Sequence, residues 1–190
     1  MSVFRLTDAS TRERETKEYW DKRVERDWNQ PLHGLYAVYP DDRLAKADER
    51  NYKVLSRILN DRVYDHTHGD SKAVLEVACG YGRYVKQISR WCNKYVGIDF
   101  AGQNIGAARD HYAELSKVDE AWLRHFDCSF QVADMLTFKS VDKFDLIFMV
   151  SAWSSIEHNS TEVIAHLKTL LKPDGVIAIF EENLYMVIDR

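Results

Sequence analysis

An apolar run, Val74-Leu75-Glu76-Val77-Ala78, breaks at Cys79-Gly80-Tyr81-Gly82 and restarts with helical spacing at Arg83-Tyr84-Val85. Apolar and β-branched residues in succession suit a strand buried on both faces, as a parallel sheet provides and a half-exposed antiparallel sheet does not. Gly80 and Gly82 permit a sharp turn and let a ligand come close to the backbone. The helix entered near Gly82 aims its first free N–H groups at the same spot. A tight strand-to-helix turn needs small residues whether or not anything binds there, so this stretch predicts a βα unit and leaves its ligand open.

A second strand, Tyr95-Val96-Gly97-Ile98, ends in Asp99. An acid at the tip of the second strand of a βαβ unit is placed to hydrogen-bond a ribose diol, which points to a nucleoside cofactor. A dinucleotide fingerprint also requires a third glycine where Val85 stands, so NAD and FAD are disfavoured. Cys128–Val132, Phe144–Val150 and Gly175–Phe180 read as three more strands. Between them, a helix is expected from about Arg83 to Asn93, with Val85, Ile88 and Trp91 inward, and another from beyond Asp99 to about Ser116. In a third, Asn159 is the cap, Glu162 closes a capping box, and Val163, Ile164, Leu167, Leu170 and Leu171 form the inner face before Pro173 ends it. Upstream, Asp41 or Asp42 can cap a helix whose Leu44, Tyr52, Leu55, Ile58 and Leu59 recur at helical spacing and should lie on the sheet.

The pattern Glu76-x-Ala78-x-Gly80-x-Gly82, then Asp99, then Ala133-Asp134-Met135, then Phe144-Asp145-Leu146-Ile147-Phe148, then Leu170-Leu171-Lys172-Pro173-Asp174-Gly175, resembles the class I methyltransferases that bind S-adenosyl-L-methionine. The resemblance covers roughly residues 70 to 182. It implies a doubly wound, mostly parallel α/β sheet of the Rossmann-like methyltransferase kind, with N-terminal helices. It also implies S-adenosyl-L-methionine as cofactor, with S-adenosyl-L-homocysteine as product. Around that cofactor it places Glu76, Ala78, Cys79, Gly80 and Gly82 of the first turn, then Asp99, Phe100 and Asn104. Asp134 would accept from the adenine amino group, with Met135 and Val150 nearby. The charged helix over residues 11–27 resembles the lid helix of small methyltransferases, in which an aromatic residue closes over the cofactor; Tyr19 and Trp20 are the candidates, and packing the helix down is the alternative use for them.

At 190 residues, 45% of them hydrophobic and 12% aromatic, the chain fits a single domain, 1–190, with 1–70 as N-terminal lid or cap region and 71–190 as the cofactor-binding core. A net charge of −4 supports no nucleic-acid partner. No apolar run approaches the ~20 residues needed to span a bilayer, so a soluble, cytoplasmic protein is expected. Cys79, Cys92 and Cys128 lack metal-ligand spacing and suit free thiols; Cys79 reads as a small apolar filler rather than a nucleophile. His66-x-His68 has no evident third ligand, and no metal is expected.

Methyl transfer from a sulfonium is an in-line displacement whose electrophile belongs to the cofactor, so the protein mainly positions the acceptor and excludes water. A base is needed only for an acceptor that arrives protonated, and His158, beside Glu157, has the suitable intrinsic pKa. Tyr36, Tyr39 and Trp153 are candidates for the acceptor's pocket. Glu182 and Asn183, like Gly80-Tyr81-Gly82-Arg83, also resemble the protein N-terminal amine methyltransferases. The expected function is methylation of a small molecule at oxygen or nitrogen. The alternatives are a protein N-terminal amine as acceptor, or a non-catalytic S-adenosyl-L-methionine-binding regulatory or scaffolding subunit. After the fifth strand only Leu184–Arg190 remains, so the family's C-terminal hairpin is expected to be shortened or absent. The bare strand edge would then pair with a second copy in a homodimer or be covered by the tail. Replacing Asp99 with alanine is expected to weaken cofactor binding at little cost in stability.

Overall fold

The computed structural model describes residue 18 and residues 43–63, 72–117, 126–156, 159–181 and 184–189. The run Ala73–Val77 is strand β1, buried at every position including Glu76, as an interior parallel strand must be. After it come β2 (Lys94–Asp99), β3 (Asp127–Val132), β4 (Phe144–Val150), β5 (Leu171–Glu181) and β6 (Leu184–Asp189). They form one sheet in the order β3-β2-β1-β4-β5-β6, parallel from β1 to β5, with β6 antiparallel to β5. The fold is thus a doubly wound, mostly parallel α/β sheet. Strand order reverses between β1 and β4, and the crevice outside their carboxyl ends is where such sheets bind ligands.

Side chains alternate along each strand and divide the core between two faces. On one face Val74, Tyr95, Phe130, Phe148 and Phe180 meet Tyr84, Val85 and Ile88 from beyond β1 and Leu55, Ile58 and Leu59 from helix α1 (Arg43–Ile58) and the single π-turn that extends it. On the other, Leu75, Val77, Ile98, Ile147, Met149 and Ile179 receive three buried residues of an amphipathic helix over Ser160–Leu170. Removing Leu55, Ile58 and Leu59 from water contributes about 1.5–3 kcal/mol each, which holds the otherwise polar α1 on the sheet as expected. The proposed caps Asp41 and Asp42 lie outside the described residues.

Helix α2 is shorter than its spacing predicted, only Val85–Ile88. Ser89 Oγ donates to Lys86 O at 2.7 Å and Trp91 N to Ile88 O at 2.8 Å, so local i→i−3 bonds replace the helical ladder after Ile88. Val85 and Ile88 are buried as predicted, while Trp91 is half-buried. Helix α3 (Gly102–Ser116) follows β2, and a one-turn helix, α4 (Trp153–Ile156), follows β4. Helix α5 (Ser160–Leu170) begins without the expected capping bond, because Asn159, at φ −117° and ψ 14°, lacks the extended backbone from which a cap side chain reaches the first amides. Nor does Pro173 end this helix. Leu171 is already extended, and Pro173 lies within β5, where the register against β4 shifts between Phe144 and Leu146 and relieves the ladder of a bond proline cannot donate.

Six residues of β6 pair with β5 from Glu181↔Leu184 to Val176↔Asp189, so the tail supplies one antiparallel strand, a shortened form of the family's hairpin, and covers the β5 edge within the chain. The edge that was to pair with a second copy is not bare. No described helix is long and apolar enough to cross a membrane.

Candidate functional site

The turn after β1 leaves the strand through Ala78, a non-glycine residue held at φ 55°, and continues through Gly80 at φ 54° and Gly82 at φ 71°. Cys79 N donates to Ile98 O at 3.0 Å, Gly82 N to Cys79 O at 2.9 Å and Val85 N to Gly82 O at 3.1 Å, which ties the turn to β2 and to the start of α2. Across the crevice Ser151, at the tip of β4, also has φ 55°, and its N–H donates to Phe180 O at 2.7 Å. Left-handed backbone at a residue with a Cβ costs about 1–2 kcal/mol and concentrates at functional sites. Here the two cases among the described residues stand at the carboxyl ends of the two strands that flank the switch point.

The two glycines serve different needs. A Cβ on Gly80 would meet nothing within 4 Å, whereas one on Gly82 would lie 2.9 Å from Phe130 Cε1 and 3.5 Å from Ala108 Cβ. Gly82 is therefore the packing glycine, and Gly80 the one whose face is open to a ligand. Asp99, 4% exposed, joins the turn to α3: its Oδ2 accepts the Gly80 N–H at 3.0 Å and its Oδ1 the Ala101 N–H at 2.9 Å. Ala101, the N-cap residue of α3, makes no side-chain cap bond of its own. Asp99 does structural work that its position in the sequence did not show.

At the tip of β3, Ala133 N donates to Asp99 O at 2.9 Å, bringing Asp134 beside the same crevice. Asp134 Oδ1 accepts the Leu136 N–H at 2.6 Å and so shapes its own turn. Met135 is half-buried and packs on the α5 side of the sheet. Phe100 and Asn104 are half-buried at the start of α3, and Val150 is buried at the end of β4. The Trp153 N–H donates to Glu181 Oε2 at 2.8 Å, linking the loop after β4 to the tip of β5. Tyr19, Trp20, Tyr36, Tyr39, Glu157, His158, Glu182 and Asn183 lie outside the described residues.

Two of the expected contact residues sit beneath the surface. Glu76 is 2% exposed and accepts a hydrogen bond from the Tyr95 hydroxyl. Burial outweighs that bond and the nearby Arg83 and pushes the carboxyl up to about 8, so Glu76 holds its proton at neutral pH. Cys79 is buried, its thiol directed at Gly80 O at 3.6 Å, and burial raises its pKa well above the ordinary thiol value; it is filler, as expected. The described cysteines are all free, and no cluster of metal ligands occurs among the described residues.

The sequence reading missed the support beneath the turn. Phe130 fills the space over both Gly82 and Gly97 and is boxed by Tyr95 and Tyr112 at centroid distances of 5.7 and 6.3 Å. Arg83 and Tyr84, directly after Gly82, reach Asp48 on α1. The glycines signalled that something had to pack close by, but not which strand supplied it.

Residues 74–175, more than half of the chain, match the methyltransferase domain family. No curated protein matches the sequence. Among solved structures, the magnesium protoporphyrin IX methyltransferase ChlM from Synechocystis PCC 6803 with bound SAM superposes with a TM-score of 0.66 at 12% identity, covering 94% of this chain and 77% of that one. DesVI of Streptomyces venezuelae gives 0.57 at 17% identity over 82% of this chain, which spans 58% of DesVI's length. The N-methyltransferase NodS from Bradyrhizobium japonicum WM9 gives 0.54 at 20% identity, covering 70% of this chain and 67% of that one. At these identities the likeness is one of fold.

Proposed function

The chain belongs to the methyltransferase domain family, the class I S-adenosyl-L-methionine-dependent enzymes, and from that premise we propose that it transfers a methyl group to oxygen or nitrogen of a small-molecule acceptor. The observation that carries the reading is the pairing of Gly80, open on its ligand side, with a rigidly held buried carboxylate, Asp99, at the tip of the next strand. The residues fit S-adenosyl-L-methionine. Gly80 admits a ligand against the backbone, Asp99 accepts from a ribose diol, and Asp134 lies beside it at the adenine end. A magnesium protoporphyrin IX methyltransferase and a sugar N-methyltransferase among the similar structures support a small-molecule acceptor over a protein.

The bound cofactor supplies an electrophilic methyl group on a sulfonium. What the chain contributes is orientation and exclusion of water. Asp99 is fixed by two backbone amides before any ligand arrives, so its acceptors are preorganised. The Glu181–Trp153 bond holds the loop after β4 over the crevice, where the acceptor enters. For an acceptor that must lose a proton, His158 takes it, with Glu157 beside it. Three free thiols, Cys79, Cys92 and Cys128, support a reducing, cytoplasmic setting.

A thermal-shift titration tests the cofactor assignment. At about 100 times its Kd a ligand adds ~2.7 kcal/mol, worth roughly 5–10 °C in a chain of this size. S-adenosyl-L-methionine and S-adenosyl-L-homocysteine should each give such a shift and NAD none; equal stabilisation by NAD would sink the reading. A metabolite extract incubated with a labelled methyl donor then identifies the acceptor.

A further inference from the structure

Arg83 and Tyr84 leave the ligand-facing turn and run directly into α1. Arg83 Nη1 lies 2.9 Å from Asp48 Oδ1, and the Tyr84 hydroxyl donates to that same oxygen at 2.9 Å. Asn51 Nδ2 donates to the Tyr84 hydroxyl at 3.4 Å. The guanidinium also lies over the Tyr84 ring, 4.9 Å from its centroid. That ring is 1% exposed and meets Phe148 of β4 edge-on at 6.1 Å. The ion pair is sheltered, with the Arg83 side chain 13% exposed and Asp48 22%, so water screens it far less than a surface pair.

We propose that Asp48 is a positioning residue, holding Arg83 and Tyr84 so that the placement of α1 sets the geometry of the glycine turn and hence its affinity for the cofactor. The proposal rests on the methyltransferase reading. One carboxylate oxygen serves two donors adjacent in sequence, Arg83 directly after Gly82 and Tyr84 one residue further on. A change at Asp48 therefore reaches the turn through a single backbone bond.

Titration calorimetry of S-adenosyl-L-homocysteine into the full chain tests it, with Asp48→Asn, Asp48→Ala, Arg83→Met and the Asp48→Ala/Arg83→Met pair, and Tm measured in parallel. Asp48→Ala should weaken binding about tenfold. Asp48→Asn, which keeps an acceptor for Tyr84 and loses the charge facing Arg83, should weaken it less. In the Arg83→Met background the Asp48→Ala change should alter affinity by less than about twofold, since the group to be positioned is gone. Wild-type affinity in both Asp48 variants, even with a lowered Tm, would overturn the proposal, and so would additive losses in the pair. Hydrogen exchange of the ligand-free protein gives a readout independent of the cofactor. Amides of residues 80–85 should exchange faster in Asp48→Asn while those of α5 on the opposite face do not; a uniform rise, or none, would also overturn it. If the wild-type chain binds no S-adenosyl-L-homocysteine, the methyltransferase reading fails on its own and the exchange result alone decides the role of Asp48.

Discussion

Substituting alanine separately at Gly80 and Gly82 separates binding from packing within three residues. Both positions have left-handed backbone, at φ 54° and 71°, so either alanine incurs about 1–2 kcal/mol of strain. Ala78 at φ 55° shows that this backbone tolerates such strain. At Gly80 that is the whole cost to the fold, because the new methyl meets nothing within 4 Å. At Gly82 the methyl arrives 2.9 and 3.0 Å from the tip of the Phe130 ring. The ring cannot retreat: it already fills the space over Gly97, where a Cβ would sit 2.7 Å away, and Tyr95 and Tyr112 close its flanks. Overpacking of this kind costs about 1–3 kcal/mol more, so Gly82→Ala should lose ~2–5 kcal/mol against ~1–2 for Gly80→Ala. Urea denaturation followed by tryptophan fluorescence measures the difference, and Phe130→Leu should recover part of the Gly82→Ala loss. Calorimetry with S-adenosyl-L-homocysteine should rank the pair the other way, with Gly80→Ala weakening binding tenfold or more, about 1.4 kcal/mol, because its methyl occupies the ligand's approach. Equal loss of stability in the two variants would refute the packing argument, and wild-type affinity in Gly80→Ala would refute the assignment of the open face.

Glu76 predicts a pH dependence of defined sign. With a folded-state pKa of about 8 against an ordinary 4.5, it keeps its proton in the folded chain and loses it in the unfolded one across that window. Its contribution is fully present below the unfolded value and falls by about 1.4 kcal/mol per pH unit up to the folded one. Chemical denaturation at pH 6 and pH 8 should therefore show a smaller loss in Glu76→Gln than in the wild type, and parallel curves would count against the buried neutral acid. Asp99→Ala should cost stability as well as binding, contrary to what the sequence alone implied. It strips an acceptor from the Gly80 and Ala101 amides, at about 1–3 kcal/mol for each donor left buried and unsatisfied. Asp99→Asn keeps one acceptor and should fall between; an Asp99→Ala variant with wild-type stability would show that other partners take over those amides.

The strands were legible because a buried parallel strand needs an unbroken apolar run, and the runs at Val74 and Phe144 are bounded by turn residues on both sides. Asp99 was legible for a related reason: the end of a strand run fixes which residue stands at its tip. What the sequence did not disclose is depth. Glu76, two residues before Ala78 in the motif, looks as available to a cofactor as Gly80, yet strand alternation turns it beneath the turn toward Tyr95. Gly80 and Gly82 look equivalent until Phe130, from a strand two places away in the sheet, is found filling one and not the other. The same distance in sequence hid the Asp48–Arg83 contact, which joins a helix to a turn across a segment with no periodicity of its own.

Local signals also misled where tertiary gains outweighed them. Pro173 reads as a helix stop, but the helix had already ended at Leu170, and the irregular register beside Phe144 let the proline enter β5. The segment after Glu181 is short and has no glycine turn, which weighed toward pairing with a second copy over covering by the tail. Yet pairing Leu184–Asp189 with β5 satisfies the backbone groups along one side of the apolar strand Val176–Phe180, which a weak turn preference cannot outweigh. That pairing changes the architecture of the site as well as the edge. Glu181, the residue that receives the Trp153 amide over the crevice, opens the hairpin as the partner of Leu184. The loop after β4 is thus braced by the residue that opens the β5–β6 hairpin.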